Sequence, residues 1–296
     1  MISLTSPAQR YDKINAGKEA NPGILPIPTC MEPVMPLPTA TAPCTVRRLG
    51  LVPYDEALAE QRRLVDACRR DGHARLLLLE HPPTYTLGAR GREEHLLLDA
   101  ERLAALGASV HRTDRGGDIT FHGPGQLVGY PILDLRYWRQ GPRWYVRSLE
   151  AALIETLAAF GIDSHRVDGR PGVWTGDAKI AAIGVRVSRG VTSHGFALNV
   201  DPDLRYFSHI VPCGLPDVTV TSMAEVLNQT PNARMATRHA EPRLPTRRDR
   251  PSGLSGPPST HQTPSMNTVM DTAVDAFAHG FGLKMQDEPA TALEAV

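Results

Sequence analysis

The sequence lacks a surplus of either charge: 32 Lys and Arg stand against 32 Asp and Glu, a formal net charge of zero with a pI near 7.2. That balance excludes polycation chemistry, because a nucleic-acid binder gathers surplus Lys and Arg to neutralise phosphates. Only a local basic groove remains open. Long apolar runs are missing too; Leu76 to Leu79 falls far short of the roughly 18 residues that a membrane-spanning helix needs, so no membrane association and a soluble chain are expected. The N-terminal stretch does not show the basic, apolar, small-residue order of a secretory signal, since Arg10, Asp12, Lys13, Lys18 and Glu19 interrupt it, and export is not expected. Cysteine is scarce: Cys30, Cys44, Cys68 and Cys213 form no C-x-x-C pair. Such usage argues against a structural zinc and for a reducing, cytoplasmic setting in which thiols stay free.

Apolar residues make up 41% of the chain, enough for a sizeable core, while 26 prolines and 25 glycines are more than one compact domain spreads evenly. Eight prolines fall in residues 1–43, which carry no apolar periodicity and are expected to form a disordered extension. Seven more fall in a Pro- and Arg-rich stretch, residues 229–264, read as a low-complexity insertion. Between them lies the candidate domain, residues 44–228. The helical period returns in residues 265–283 through Val269, Met270, Ala273, Val274, Phe277 and Phe281, which predicts a helix that docks back on the domain; closing the intervening loop costs little, because loop entropy grows only logarithmically with length. Residues 284–296 are left as a tail.

Within the domain, helical spacing over Tyr54 to Asp71 and over Tyr145 to Phe160 predicts two helices. Ala74 to Glu80, a short apolar run before Pro82-Pro83, predicts a strand buried on both faces. Arg115 to Tyr130 reads as strand, glycine-rich turn, strand, and Lys179 to Val187 and Gly195 to Val200 as further strands. The class is mixed α/β.

Three features carry chemistry. Arg115-Gly116-Gly117-Asp118-Ile119-Thr120-Phe121-His122 and the glycines that follow let backbone approach a ligand beside a fixed charge, yet match neither the P-loop nor the dinucleotide fingerprint. Cys213, between Pro212 and Gly214, sits in a turn sequence that presents a sulfur. A thiol near pKa 8.5 is only a few per cent thiolate at neutral pH, so a nucleophile needs a cation or base beside it. His209, His194, His122 and Lys179 are the candidates, and spacing does not choose among them. Cys68 fits a helical core face; Cys30 and Cys44 read as inert surface thiols.

The stretches Glu80-His81-Pro82-Pro83, the block from Arg115 through Gln126, Gly172-Val173-Trp174 with the block from Lys179, and Ile210-x-Pro212-Cys213-Gly214 occur in one order through the domain. In these blocks the chain resembles the lipoyl(octanoyl) transferases. The resemblance implies an α/β fold of the α+β type, a mixed β-sheet flanked by helices as in biotin and lipoate protein ligases. It implies that Cys213 takes an octanoyl group from octanoyl-acyl carrier protein, that Lys179 lowers its pKa and serves as acid and base, and that the group passes to a lysine on lipoyl domains of 2-oxoacid dehydrogenase E2 subunits and of glycine cleavage H protein. Arg115 to His122, Ala182-Ile183-Gly184 and Gly195-Phe196-Ala197 would bind the acyl chain, the small residues shaping a narrow slot. No cofactor, metal or nucleic acid is implied. The alternatives are an ATP-dependent lipoate or octanoate ligase of the same fold, a non-catalytic acyl binder, and a cysteine hydrolase.

Overall fold

A computed structural model describes residues 42–211, 218–229 and 263–288. In chain order its elements are β1 (Ala42–Leu51), α1 (Tyr54–Asp71), β2 (Ala74–Glu80), β3 (Thr84–Leu87), α2 (Ala100–Ala105), β4 (Ser109–Arg112), β5 (Ile119–His122), β6 (Gln126–Ile132), α3 (Pro142–Ala159), β7 (His165–Val167), β8 (Arg170–Thr175), β9 (Ala178–Ser188), β10 (Val191–Asn199), α4 (Met223–Gln229), α5 (Met266–Phe281) and β11 (Leu283–Asp287). Short 3-10 turns cover Glu93–His95 and Leu204–His209. Eight strands form one mixed sheet, β11-β1-β2-β6-β10-β9-β8-β7, and β4-β3-β5 form a second, smaller one.

The leucines of β2 explain the large sheet. Leu76 and Leu78 join the core under α3 and α5, while Leu77 and Leu79 join the core under α1 with Ala57, Leu64 and Cys68. Alternate side chains of a strand point to opposite faces, so a sheet covered on both sides needs an unbroken apolar run. Each fully buried leucine contributes about 1.5–3 kcal/mol. Helix α1 begins with Asp55 and Glu56 in its first turn and ends on Gly72 at φ +67°, whose amide donates to the Cys68 carbonyl; both ends suit the helix dipole and cap. Helix α5 is capped by Ser265, which accepts from the Thr268 amide, and lies on α3. Strands β9 and β10 are joined by the two-residue turn Arg189-Gly190, both at positive φ, the geometry of a tight hairpin.

Several expectations change. The glycine-rich block does give two strands, but they belong to different sheets: β5 pairs with β3, and β6 lies between β2 and β10. Cys44 is not a surface thiol; it is fully buried in β1, and burial pushes its pKa up to about 12, with Cys68 likewise pushed to about 11. Residues expected as a tail begin with β11, which pairs in parallel with β1, Ala42 opposite Leu283. The rest of the extension and the tail, residues 230–262 of the insertion, Cys30 and Cys213 lie outside the described residues. No helix among the described residues is long and apolar enough to cross a membrane.

Candidate active site

A cleft of about 730 Å³ opens where the large sheet meets the small one. Lys179, Arg115 to Thr120, His122, Ala182 to Gly184 and Gly195 to Ala197 all line it. Phe121 does not: it is turned away by the strand alternation of β5, is 1% exposed, and stacks on Tyr206 at 4.6 Å in the core of the small sheet. It is a packing residue that holds its neighbours in the wall.

The small residues of β9 and β10 sit opposite one another, Gly195 with Gly184 and Ala197 with Ala182. Two of them make room for the protein rather than for a ligand. A Cβ on Gly195 would lie 2.1 Å from the Gly129 carbonyl oxygen, and one on Gly184 would lie 3.0 Å from the Gly116 carbonyl and 3.1 Å from Cδ of Arg115. Gly184 thereby lets the turn at 115–117 settle on β9, where the Gly116 amide donates to the Val185 carbonyl. Phe196 contributes to the cleft lining, while its ring packs with Phe277 in the core under α3 and α5.

Polar contacts fix the floor. Gln126 donates from Nε2 to the Phe121 carbonyl (3.2 Å) and to Oδ1 of Asn199 (2.9 Å), which leaves its Oε1 facing Nδ1 of His122 at 2.8 Å. An amide oxygen only accepts, so His122 is protonated on Nδ1 and its Nε2 is an acceptor. Thr86 Oγ1 already accepts from Arg115 Nε and Nη2, and lies 3.4 Å from that Nε2. Burial, reinforced by His81 and Arg115, holds His122 well below its ordinary pKa, so it is neutral at pH 7. The same reasoning applies to His81: Nδ1 donates to the Val52 carbonyl (2.7 Å) and Nε2 accepts from Tyr130 OH (2.7 Å). Asn199 then donates to the Thr221 carbonyl, tying this network to the strand-like residues 219–221.

Lys179 is held at both ends. Its amide donates to the Thr219 carbonyl (2.8 Å), its carbonyl accepts from the Thr221 amide (3.0 Å), and its Nζ lies 4.9 Å from the centroid of the buried Trp174 ring. Val218 and Val220 line the cleft. On the upstream side the Val211 amide donates to the His95 carbonyl, and the His95 ring meets Asp118 at 2.6 Å. The two described flanks of the segment that carries Cys213 are therefore fixed at Lys179 and at His95; Cys213 itself lies outside the described residues. Of the histidines weighed with Lys179, His209 is outside the lining, bonded to Tyr85 OH, and His194 lines the cleft bonded to Asp114. His95, Arg90, Arg92 and Arg170 also line the cleft; none sits in a patterned stretch of sequence, and only the fold brings them together.

The lipoyl protein ligase A/B catalytic domain profile matches residues 53–241. The chain belongs to the lipoyl protein ligase A/B catalytic domain family. It is similar to the octanoyltransferase of Solibacter usitatus, 55% identical over 183 residues that cover 61% of this chain and 82% of that protein. It is also similar to a mitochondrial octanoyltransferase of Arabidopsis thaliana, 50% identical over 182 residues, 60% of this chain and 77% of that protein. Among solved structures, a bipartite lipoate protein ligase of Thermoplasma acidophilum matches with a TM-score of 0.62 at 14% identity, covering 86% of this chain and 89% of that one. That likeness shows the ligase A/B fold, a large mixed sheet flanked by helices.

Proposed function

We propose that this chain is an octanoyltransferase that moves an octanoyl group from a carrier-bound thioester, octanoyl-acyl carrier protein, to the ε-amine of a lysine on lipoyl domains. The Cys213 thiolate attacks the thioester carbonyl; the C–S bond to the carrier breaks, and the departing thiolate takes a proton from the Lys179 ammonium. The acceptor amine then attacks the Cys213 thioester, Lys179 takes the amine proton, and the amide forms as Cys213 leaves as thiolate. No ATP enters, because the incoming thioester is already activated. Acceptors are the lipoyl domains of 2-oxoacid dehydrogenase E2 subunits and glycine cleavage H protein. Cys213 must be a free thiol, which agrees with a reducing compartment such as the cytoplasm.

The observation that carries this reading is Lys179, in the cleft against Trp174 and hydrogen-bonded through its backbone to Thr219 and Thr221, just downstream of Cys213. The apolar part of the lining, with Val128, Ala182 and Ala197, suits a straight alkyl chain, each buried methylene contributing about 0.8 kcal/mol.

Intact-mass spectrometry after incubation with octanoyl-acyl carrier protein tests it. The chain is expected to gain about 126 Da on Cys213 and to lose it on addition of an unmodified lipoyl domain. Lys179→Ala is expected to lower kcat/KM by about 10²–10⁴-fold, and Lys179→Arg not to rescue it, because a guanidinium does not give up its proton near neutral pH. Modification of the acceptor only with ATP and free octanoate would replace this reading with the ligase.

A further inference from the structure

The cleft is charged in a way the neutral chain is not. Its described lining contains five cations, Arg90, Arg92, Arg115, Arg170 and Lys179, and one carboxylate, Asp118. That carboxylate is fully engaged: Oδ1 accepts from the Ile119 amide (2.8 Å) and the Arg92 amide (3.3 Å), and Oδ2 faces His95 Nδ1 at 2.6 Å. Among the described residues it makes no ion pair with Arg90, Arg92 or Arg170. Arg115 is buried and directs its guanidinium at Thr86 and the Gly116 carbonyl.

Arg90, Arg92 and Arg170 are the exposed members and form the rim. Two separate elements present them. The 88–90 loop rides on the glycine-rich turn, with the amides of Gly88, Ala89 and Arg90 donating to the carbonyls of Asp118, Arg115 and Gly117 at 2.9, 2.8 and 3.1 Å. Arg170 opens β8, its guanidinium carbon 5.9 Å from the centroid of the same Trp174 ring that meets Lys179. Among the described residues neither Arg90 nor Arg170 makes an ion pair, and Arg92 has one, to Glu94 at 3.2 Å, with both side chains 69% exposed. Such a surface pair is weak and exchanges readily.

An octanoyl chain and a thioester carry no charge, so neither accounts for three cations on the rim. Planar guanidinium forks suit phosphate oxygens, which they bind in pairs of charge-assisted hydrogen bonds. We propose that Arg90, Arg92 and Arg170 form an anion subsite at the rim of the cleft that holds the phosphodiester of a phosphopantetheine arm, leaving its thioester end at Lys179. The subsite rests on the thioester-donor reading above and adds the group by which the donor is recognised. It places the recognition of the carrier on the arm itself, common to every carrier that bears it.

Two measurements on the full chain test this. In the first, kcat/KM is compared for octanoyl-pantetheine and octanoyl-4′-phosphopantetheine with one lipoyl domain; the phosphorylated donor is expected to be better by roughly tenfold or more at low salt, the ratio shrinking as ionic strength rises. In the Arg90→Gln/Arg170→Gln double variant that ratio is expected to fall toward one. In the second, calorimetry compares binding of 4′-phosphopantetheine and pantetheine without acyl group or turnover, so it decides the subsite even if neither donor reacts, an outcome that would count against the thioester reading alone. Equal binding of the two, or a preference untouched in the double variant, overturns the subsite. So does ATP that displaces 4′-phosphopantetheine while supporting acceptor modification from free octanoate, since the rim would then belong to a nucleotide.

Discussion

Gly195 and Gly184 face each other across the β9–β10 hairpin but tolerate a methyl group differently. At Gly195 the new Cβ would sit 2.1 Å from a carbonyl oxygen of β6, which cannot swing aside without breaking the ladder between β6 and β10. Gly195→Ala is expected to destabilise the protein by about 1–3 kcal/mol or more, read as a lower urea midpoint at unchanged m-value. At Gly184 the contact is 3.0 Å, against the turn that carries Arg115 into the cleft. Gly184→Ala is therefore expected to leave the midpoint nearly in place and to lower kcat/KM. The opposite ranking would show that the turn is not seated by β9. From the sequence both glycines read as walls of an acyl slot; what fills the space beside them comes from Gly129 and Gly116, more than 60 positions away, and no local signal reports it.

Among the elements, α5 joins the large core through a stacked pair, Phe277 on Phe281 at 4.5 Å, and through the Phe281 carbonyl, which accepts from Nε1 of Trp138 at 2.9 Å. Phe281→Ala is expected to cost about 3–5 kcal/mol, because it removes a fully buried ring that packs on Trp138, Trp144, Tyr145 and Phe277; chemical denaturation measures it. Helices α1 and α5 were legible to their ends, since a sustained 3.6-residue period and the glycines Gly72 and Gly282 mark them. Strands β3, β4, β7, β8 and β11 were not. Each is three to six residues long, too short to show a period, and exists because a partner strand offers hydrogen bonds. The burial of Cys44 is hidden in the sequence for a related reason: Pro43 before it and Arg47-Arg48 after it mask the burial of β1. The candidate site was legible where motif blocks spelled out its walls and dark at the rim, where exposed arginines come from unpatterned loops.

At the scale of the whole molecule, the polar floor beneath the cleft makes stability depend on pH. Burial lowers His81 from its ordinary 6.5 to about 4 and holds His122 well below 6.5. The unfolded chain takes up these protons near pH 6.5, whereas native His81 takes its proton only near pH 4 and native His122 well below 6.5, so the unfolded state binds more protons in that window. Stability is accordingly expected to fall as pH drops from about 6.5 toward 4 and to be flat with respect to these groups above it. Urea midpoints between pH 8 and pH 4.5 measure this, and His81→Gln should make the slope shallower. A slope unchanged in that variant would mean that His81 titrates alike in the native and unfolded states.

The strand order also sets a timetable. Among the described residues β1 is the first strand synthesised and β11 the last, yet β11 covers the outer edge of β1, and Arg48 on β1 is ion-paired with Asp287, 239 positions later. During synthesis at about 5–20 residues per second, that edge stays bare for roughly 12–50 s, long enough for another nascent chain to pair with it. Slower translation lengthens the exposure and a chaperone that shields extended segments shortens it, so recovery of folded enzyme from cells should depend on how the chain is made as well as on how stable it is once complete.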